Sequence, residues 1–357
     1  MTKANIIFTG SVNCDNSYHG WPTLIKGNGE NELIAVCSGG REEHICPFGR
    51  VYMYRSIDGG KNWSMAAKLS DGPLDDRDAG LCKTADGRLL MNYFTNILAL
   101  SCNLDKRPES WRDKLKEITL ETLAEEHGFW MRYSDDNGVT WSEKFSIPAN
   151  NPHGASLLSD GSLILVGRQQ SNSFAYMYEG SRLGDKIVTI KSFDNGKTWE
   201  IISEVPIADG HSVSKCFEPY AIEAADGRII AVIRDQNDFS NIRTYQTISS
   251  DGGRTWSCPK VVSEGGYPAH LLKLKNGKLL MSYGYRNAPY GIRCRISENS
   301  GDSWGEEIIL YDKGVSNDLG YPTTAELNDG KFITMYYEAS SHSQSDIKYC
   351  IWELADA

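Results

Sequence analysis

The sequence predicts an all-β fold: a six-bladed β-propeller over residues 1–357 as one domain, with one helical insertion at about residues 108–126. Two interleaved repeats carry this prediction. The first is the octapeptide S-x-D-x-G-x-T-W, at Ser56–Trp63, Ser134–Trp141, Ser192–Trp199 and Ser249–Trp256, with a looser copy at Ser297–Trp304. Asp before a Gly-containing turn favours a tight hairpin, because Asp bonds its own following backbone and Gly tolerates positive φ. The Trp supplies an apolar plug, so the five Trp residues of these boxes, out of nine in the chain, are structural. The second repeat is an Asp-Gly or Asn-Gly turn between apolar runs, at Asp86-Gly87, Asp160-Gly161, Asp226-Gly227, Asn276-Gly277 and Asp329-Gly330, with a blurred copy at Asn28-Gly29. Such turns are strong local hairpin signals. Six hairpins and five boxes, spaced by very roughly fifty residues, point to repeated four-stranded units.

In chain order, Asn5–Thr9 reads as a strand that pairs with the last unit. The first unit runs through Trp21-Pro22 and Leu33–Val36 to the first box. Asp75-Asp76-Arg77-Asp78 reads as a charged turn before the second. After Phe94 that unit is interrupted, and Trp111, Leu115, Ile118 and Leu123 have the spacing of one amphipathic helix, packed on the side of the scaffold or covering its face. The third unit holds Asn151-Pro152-His153 and reaches Arg168, followed by an exposed hairpin with Phe174, Tyr176 and Tyr178. Later units carry Glu218 and Arg234, then Tyr267, His270, Tyr285 and Arg286, then Tyr321 and Glu338.

A formal charge of −10 argues against a nucleic-acid binder, and no apolar run is long enough to span a bilayer. The N-terminus lacks a signal-peptide pattern, so a cytoplasmic location is expected. Nine scattered cysteines without C-x-x-C pairs favour free thiols and no metal site, and no cofactor motif is present.

Chemistry is expected where the inner strands begin. Counting back from each hairpin puts Trp21, Asp78, His153, Glu218, Tyr267 and Tyr321 in one slot, with Arg41, Arg168, Arg234, Arg286 and Glu338 forming a second ring. Arginines and carboxylates converging in an acidic chain suit a pocket for a polar or anionic ligand.

In these repeats, and in FEPYAIEAADGRIIAVIRD and GYPTTAELNDGKFITMYYE, the chain resembles the sialidase (neuraminidase) superfamily of BNR/Asp-box propellers over essentially its whole length. The resemblance implies a glycoside hydrolase removing a terminal, acidic sugar from a glycan by a retaining mechanism. Tyr321 would be the nucleophile, Glu218 its base, and Arg234 an arm of a carboxylate clamp. A Tyr hydroxyl is a poor nucleophile until a carboxylate takes its proton, and as a neutral group it avoids repulsion with a sugar carboxylate. The chain also departs from the family. The F/Y-R-I-P motif that bears the first clamp Arg is here Tyr18-His19-Gly20-Trp21-Pro22, leaving Arg41 to fill the gap. The third arm falls on Arg286, or on neighbouring Arg293, with Tyr285 beside them. The family's general-acid Asp is missing from REEHICPFGR, so Glu43, Glu42, His44 or Asp78 would serve. Two other functions compete. One is a lyase on the same scaffold, in which His153 or His270 abstracts a proton. The other is a glycan-binding propeller in which Tyr321 and Glu218 do not touch.

Overall fold

Short apolar strands punctuated by Gly turns fold into antiparallel sheets with a propeller-like arrangement. The computed structural model describes residues 3–12, 15–169 and 185–355, so the expected Phe174–Tyr178 hairpin lies outside the described residues. Four sheets have four strands each, and their innermost strands are Asp75–Lys83, Ser156–Leu157, Cys216–Glu223 and Gly266–Lys273. The other eight strands form one sheet. In it Leu319–Glu326, Phe332–Ala339 and Ser345–Ala355 are followed by Tyr18–Lys26, Leu33–Arg41, Arg50–Ser56 and Ser64–Lys68. The expectation of six separate blades is therefore corrected: four separate four-stranded blades are seen, because one parallel backbone pairing, Tyr18 with Ser345, merges the first and last units into the eight-stranded sheet. Strand Lys3–Ser11 pairs antiparallel with Ser345–Ala355, as the N-terminal apolar pattern predicts.

The boxes close the outer hairpin of every unit but the last, and the Ser Oγ to Gly N bond recurs in all five. In the third copy, Ser192 Oγ accepts from Gly196 N at 2.9 Å, and Asp194 Oδ1 accepts from Lys197 N at 3.1 Å and Thr198 N at 2.9 Å. Trp199 Nε1 donates back to Gly196 O at 3.1 Å. Gly196 is required twice over: its φ is +79°, and a Cβ there would lie 2.3 Å from Leu90 of the preceding sheet. Each box Trp packs into the apolar layer between its own sheet and the one before it. Trp141 thus lies on the layer of Val36 and Met91, and Trp199 on that of Leu90 and Leu165. Where the last unit lacks a box, Trp352 stacks on Phe332 and fills the equivalent layer.

The single expected helix is two. Helix α1 is Glu109–Lys116 and helix α2 is Leu120–Glu126. The break falls where Thr119 leaves helical geometry to cap α2, its Oγ1 accepting from Thr122 N at 3.1 Å. Trp111 and Leu115 bury against Cys46 and Ala99, whereas Leu123 buries against Leu74 and Ile97. The insertion thus packs on the loop at residues 42–48. Among the described residues no helix is long and apolar enough to cross a membrane. All eight described cysteines are free, six of them buried.

Candidate active site

The inner strands do not start regularly. Each of Tyr18–Lys26, Asp75–Lys83, Cys216–Glu223, Gly266–Lys273 and Leu319–Glu326 breaks register with its neighbour over a two-residue bulge. In four of them the bulge residue has positive φ: Trp21 at +57°, Asp78 at +49°, Glu218 at +48° and Tyr321 at +49°. Bulges re-aim side chains, and these four side chains line one cavity of about 440 Å³. Non-glycine residues in this region are strained by about 1–3 kcal/mol each, a cost seen mostly at functional positions.

Tyr321 donates its hydroxyl to Glu218 Oε1 in a short hydrogen bond. Arg234 Nη1 grips both oxygens of that carboxylate, at 2.9 and 3.0 Å. Burial, then the charges of Glu218 and Asp78, push the Tyr321 hydroxyl well above its usual 10, although Arg234 and Arg286 oppose them. The phenol is therefore neutral at rest, and its proton can pass only to the carboxylate it already touches. Asp78 is pushed up to about 6, first by burial and against the pull of Arg77.

The positive side of the cavity comprises Arg77, Arg168, Arg234 and Arg286. Arg77 lies with its guanidinium carbon 4.0 Å from the Trp21 ring, and its Nε is buried without a hydrogen-bond partner. Arg286 donates to Tyr337 Oη at 3.2 Å, and its buried Nε is likewise unmatched. Arg168 is ion-paired to Asp185 and faces the Phe217 ring. Two guanidinium Nε–H groups buried beside an acid-base pair form a site that a carboxylate would complete.

Residues 117–334, more than half of the chain, match the BNR repeat-like domain. The chain belongs to that family. This BNR repeat-like chain is 28% identical over 222 residues to a sialidase of Clostridium perfringens, and 24% identical over 221 residues to one of Paraclostridium sordellii. Each match covers 57% of the chain, and the chain spans about half the length of these curated relatives, 50% and 48%. Among solved structures, a Dyadobacter fermentans protein of unknown function superposes with a TM-score of 0.79 at 21% identity, covering 99% of both chains. The NanB sialidase of Streptococcus pneumoniae superposes with a TM-score of 0.67 at 14% identity, covering 98% of this chain and 70% of its own.

The BNR repeat-like scaffold brings Trp21, His44, Asp78, Arg168, Glu218, Arg234, Arg286 and Tyr321 to the cavity, and other expected residues elsewhere. Arg41 is fully buried behind Trp21, where it pairs with Asp75 and donates to His44 O at 2.7 Å, so it is no arm of the clamp. Arg293 pairs with Glu307 and lies 3.4 Å from the Tyr285 ring, outside the cavity with it. Glu43 pairs with Arg107 and with His342 at 2.8 Å. Glu42 accepts from Trp111 Nε1 at 2.7 Å. His153 is buried off the cavity wall against His270 and Tyr220, with ring centroids 5.2 Å from each. Burial holds the His153 ring well below 6.5 and His270 at about 3, so both are neutral. Glu338 is taken up by Lys348 at 2.6 Å and by Tyr311.

Arg77 escaped sequence reasoning because Asp75-Asp76-Arg77-Asp78 looks like a solvated turn. It is the start of a buried strand, and its place in the bulge slot beside Asp78 was the available signal.

Proposed function

We propose that the chain is a sialidase-type retaining exo-glycosidase that releases a terminal sugar bearing a carboxylate. The observation that carries this reading is the Tyr321–Glu218–Arg234 chain of contacts inside a cavity with two other arginines holding unmatched donors. Glu218 accepts the Tyr321 proton as the phenol oxygen bonds to the anomeric carbon. A neutral nucleophile is suited to a carbon that already carries a carboxylate. Arg77, Arg234 and Arg286 hold the carboxylate, with Arg77 taking the arm left open by the absence of an Arg before Trp21-Pro22. Asp78, deep in the cavity, grips a sugar hydroxyl. We read the eight-stranded sheet as two blades of a six-bladed ring, since six apolar layers separate successive units.

The lyase reading loses its support, because His153 and His270 do not reach the cavity wall. The binding-only reading required Tyr321 and Glu218 to be apart, and they are in contact. The test is turnover on aryl glycosides of a sialic acid, of uronic acids and of neutral sugars, with Tyr321→Phe and Glu218→Ala as controls. Turnover of an acidic glycoside that both variants abolish is the expected result. No turnover on the whole panel, or turnover indifferent to Tyr321→Phe, overturns the reading.

A further inference from the structure

Retaining hydrolysis needs a group that protonates the leaving oxygen and later deprotonates water. With Tyr321 and Glu218 engaged, the cavity wall offers two other groups able to exchange a proton near neutrality, Asp78 and His44. They differ in depth. The Asp78 side chain is 12% exposed, whereas that of His44 is 38% exposed. An exo-acting enzyme takes the terminal sugar inside and leaves the rest of the glycan in solvent, so the bond to be cleaved lies towards the mouth, on the side of His44.

The ring is also held for the task. Its Nδ1 is 2.8 Å from Tyr18 Oη and 3.3 Å from Asp318 Oδ1. Asp318 additionally accepts from the hydroxyls of Tyr18 and Tyr337, each at 2.8 Å. Burial would raise that carboxyl, but the donors His44, Tyr18 and Tyr337 outweigh it and hold it at about 2. With the Tyr18 hydroxyl hydrogen on Asp318, Nδ1 is the protonated nitrogen of a neutral ring and Nε2 the basic one. Trp21 packs edge-on to the ring at 5.0 Å. Just before His44 in sequence, Glu43 is anchored to Arg107 and Glu42 to Trp111 of helix α1, which braces the loop that carries the ring.

We propose that His44 Nε2 is the general acid and base of this site, with Asp318 as its positioning residue; this rests on the glycosidase reading above. In the first step the glycosidic C–O bond breaks, Nε2–H gives its proton to the departing oxygen, and Tyr321 Oη bonds to the anomeric carbon while Glu218 takes the phenol proton. In the second step neutral Nε2 takes a proton from water, whose oxygen displaces Tyr321, and Glu218 returns the phenol proton. Every group ends as it began. Desolvation against the cavity wall lowers the His44 pKa, Asp318 opposes this, and Arg77 and Arg41 reinforce it. The acid step therefore weakens with rising pH sooner than an ordinary imidazole would allow.

The test uses the full chain and two glycosides of the acidic sugar that it turns over, one with a nitrophenol and one with a sugar as leaving group. His44→Ala and His44→Gln should lose on the order of a hundredfold or more in kcat/KM on the sugar leaving group, and under about tenfold on nitrophenol. Nitrophenol should then be released in a burst, because the second step lacks its base, and azide should restore turnover as a glycosyl azide of retained configuration. Asp318→Asn should move the alkaline limb of kcat/KM to lower pH with little change in KM. Equal losses on both leaving groups, or transfer of the burst and azide rescue to Asp78→Asn, overturn the assignment while leaving the glycosidase reading intact. A wild-type chain inactive on every glycoside overturns both.

Discussion

The rim and the centre of this molecule use the same backbone conformation for opposite ends. Among the described residues, seven non-glycine residues have positive φ. Asn137, Asn195 and Ser300 occupy the fourth position of a box, where the other two copies have Gly59 and Gly252, also at positive φ. Asn and Gly adopt this conformation cheaply, and the box Ser and Asp side chains accept from the turn's amides. Trp21, Asp78, Glu218 and Tyr321 occupy the inner bulges, where three of the four residue types adopt it at real cost and buried polar atoms nearby lack partners. The box repeats its side chains because they build the turn. The bulge repeats only its backbone, and its side chains differ while lining one cavity.

The largest break in this comparison should come at Tyr321. Tyr321→Phe removes one oxygen and leaves the ring in place, so it should cost on the order of a thousandfold or more in kcat while the melting temperature moves by only a few degrees. Glu218→Gln should cost as much, and it leaves Arg234 without its counter-charge. A Tyr321→Phe enzyme that keeps a tenth of its activity would place the bulge residues with the boxes, as scaffold.

Arg77→Ala should come next. The guanidinium lies on Trp21 with an unmatched Nε, so its loss should raise KM for an acidic glycoside by about ten- to a hundredfold, the scale of one charge-assisted hydrogen bond. Neutral competitors should bind as before. Arg293→Ala serves as the contrast, since that side chain is spent on Glu307 and Tyr285 and its loss should leave KM alone.

Asp78 separates centre from rim through pH. Burial raises its carboxyl from 3.8 to about 6, so the folded chain holds a proton that the unfolded chain releases between those values. Its contribution to stability is intact below pH 3.8 and falls as pH rises through 6. That difference of about two pKa units amounts to roughly 3 kcal/mol at most. Asp78→Asn should therefore stabilise the protein at pH 8, with the gain fading towards pH 4 in denaturant titrations. The box carboxylate Asp58 is held down at about 2 where burial, which would raise it, is outweighed by Asn62, Ser56 and Lys61. Its loss should destabilise the protein at neutral pH, the opposite sign.

The same contrast explains what could be read from sequence. Boxes and Asp-Gly hairpins were legible because turn chemistry is local: Ser192, Asp194, Gly196 and Trp199 bond within eight residues. Glu218 and Tyr321 were legible because one slot recurs beside each hairpin. Arg77 and Asp318 were not, and His44 stood only as one of four candidate acids, since their meaning lies in contacts made across the ring: His44 meets Asp318 over 274 positions of chain. Arg41 was misplaced for the same reason, its partner Asp75 being a residue that sequence assigns to a solvated turn. The blade count differs because a single backbone pairing between the first and last units leaves no trace in either.

The smallest effect tests the rim directly. Asn195 has φ +58°, and its Nδ2 donates to Asp86 Oδ2 at 2.8 Å across to another sheet. Asn195→Gly gives up that exposed bond and gains an easier conformation, so stability should change by no more than about 0.5 kcal/mol. Asn195→Ala loses the bond and forces a Cβ into the left-handed region, which should cost about 1–2 kcal/mol. Both should leave kcat and KM unchanged. If instead Asn195→Ala were neutral, or if either variant slowed turnover, positive φ at the rim would not be the inexpensive turn geometry that distinguishes it from the strained bulges around the cavity.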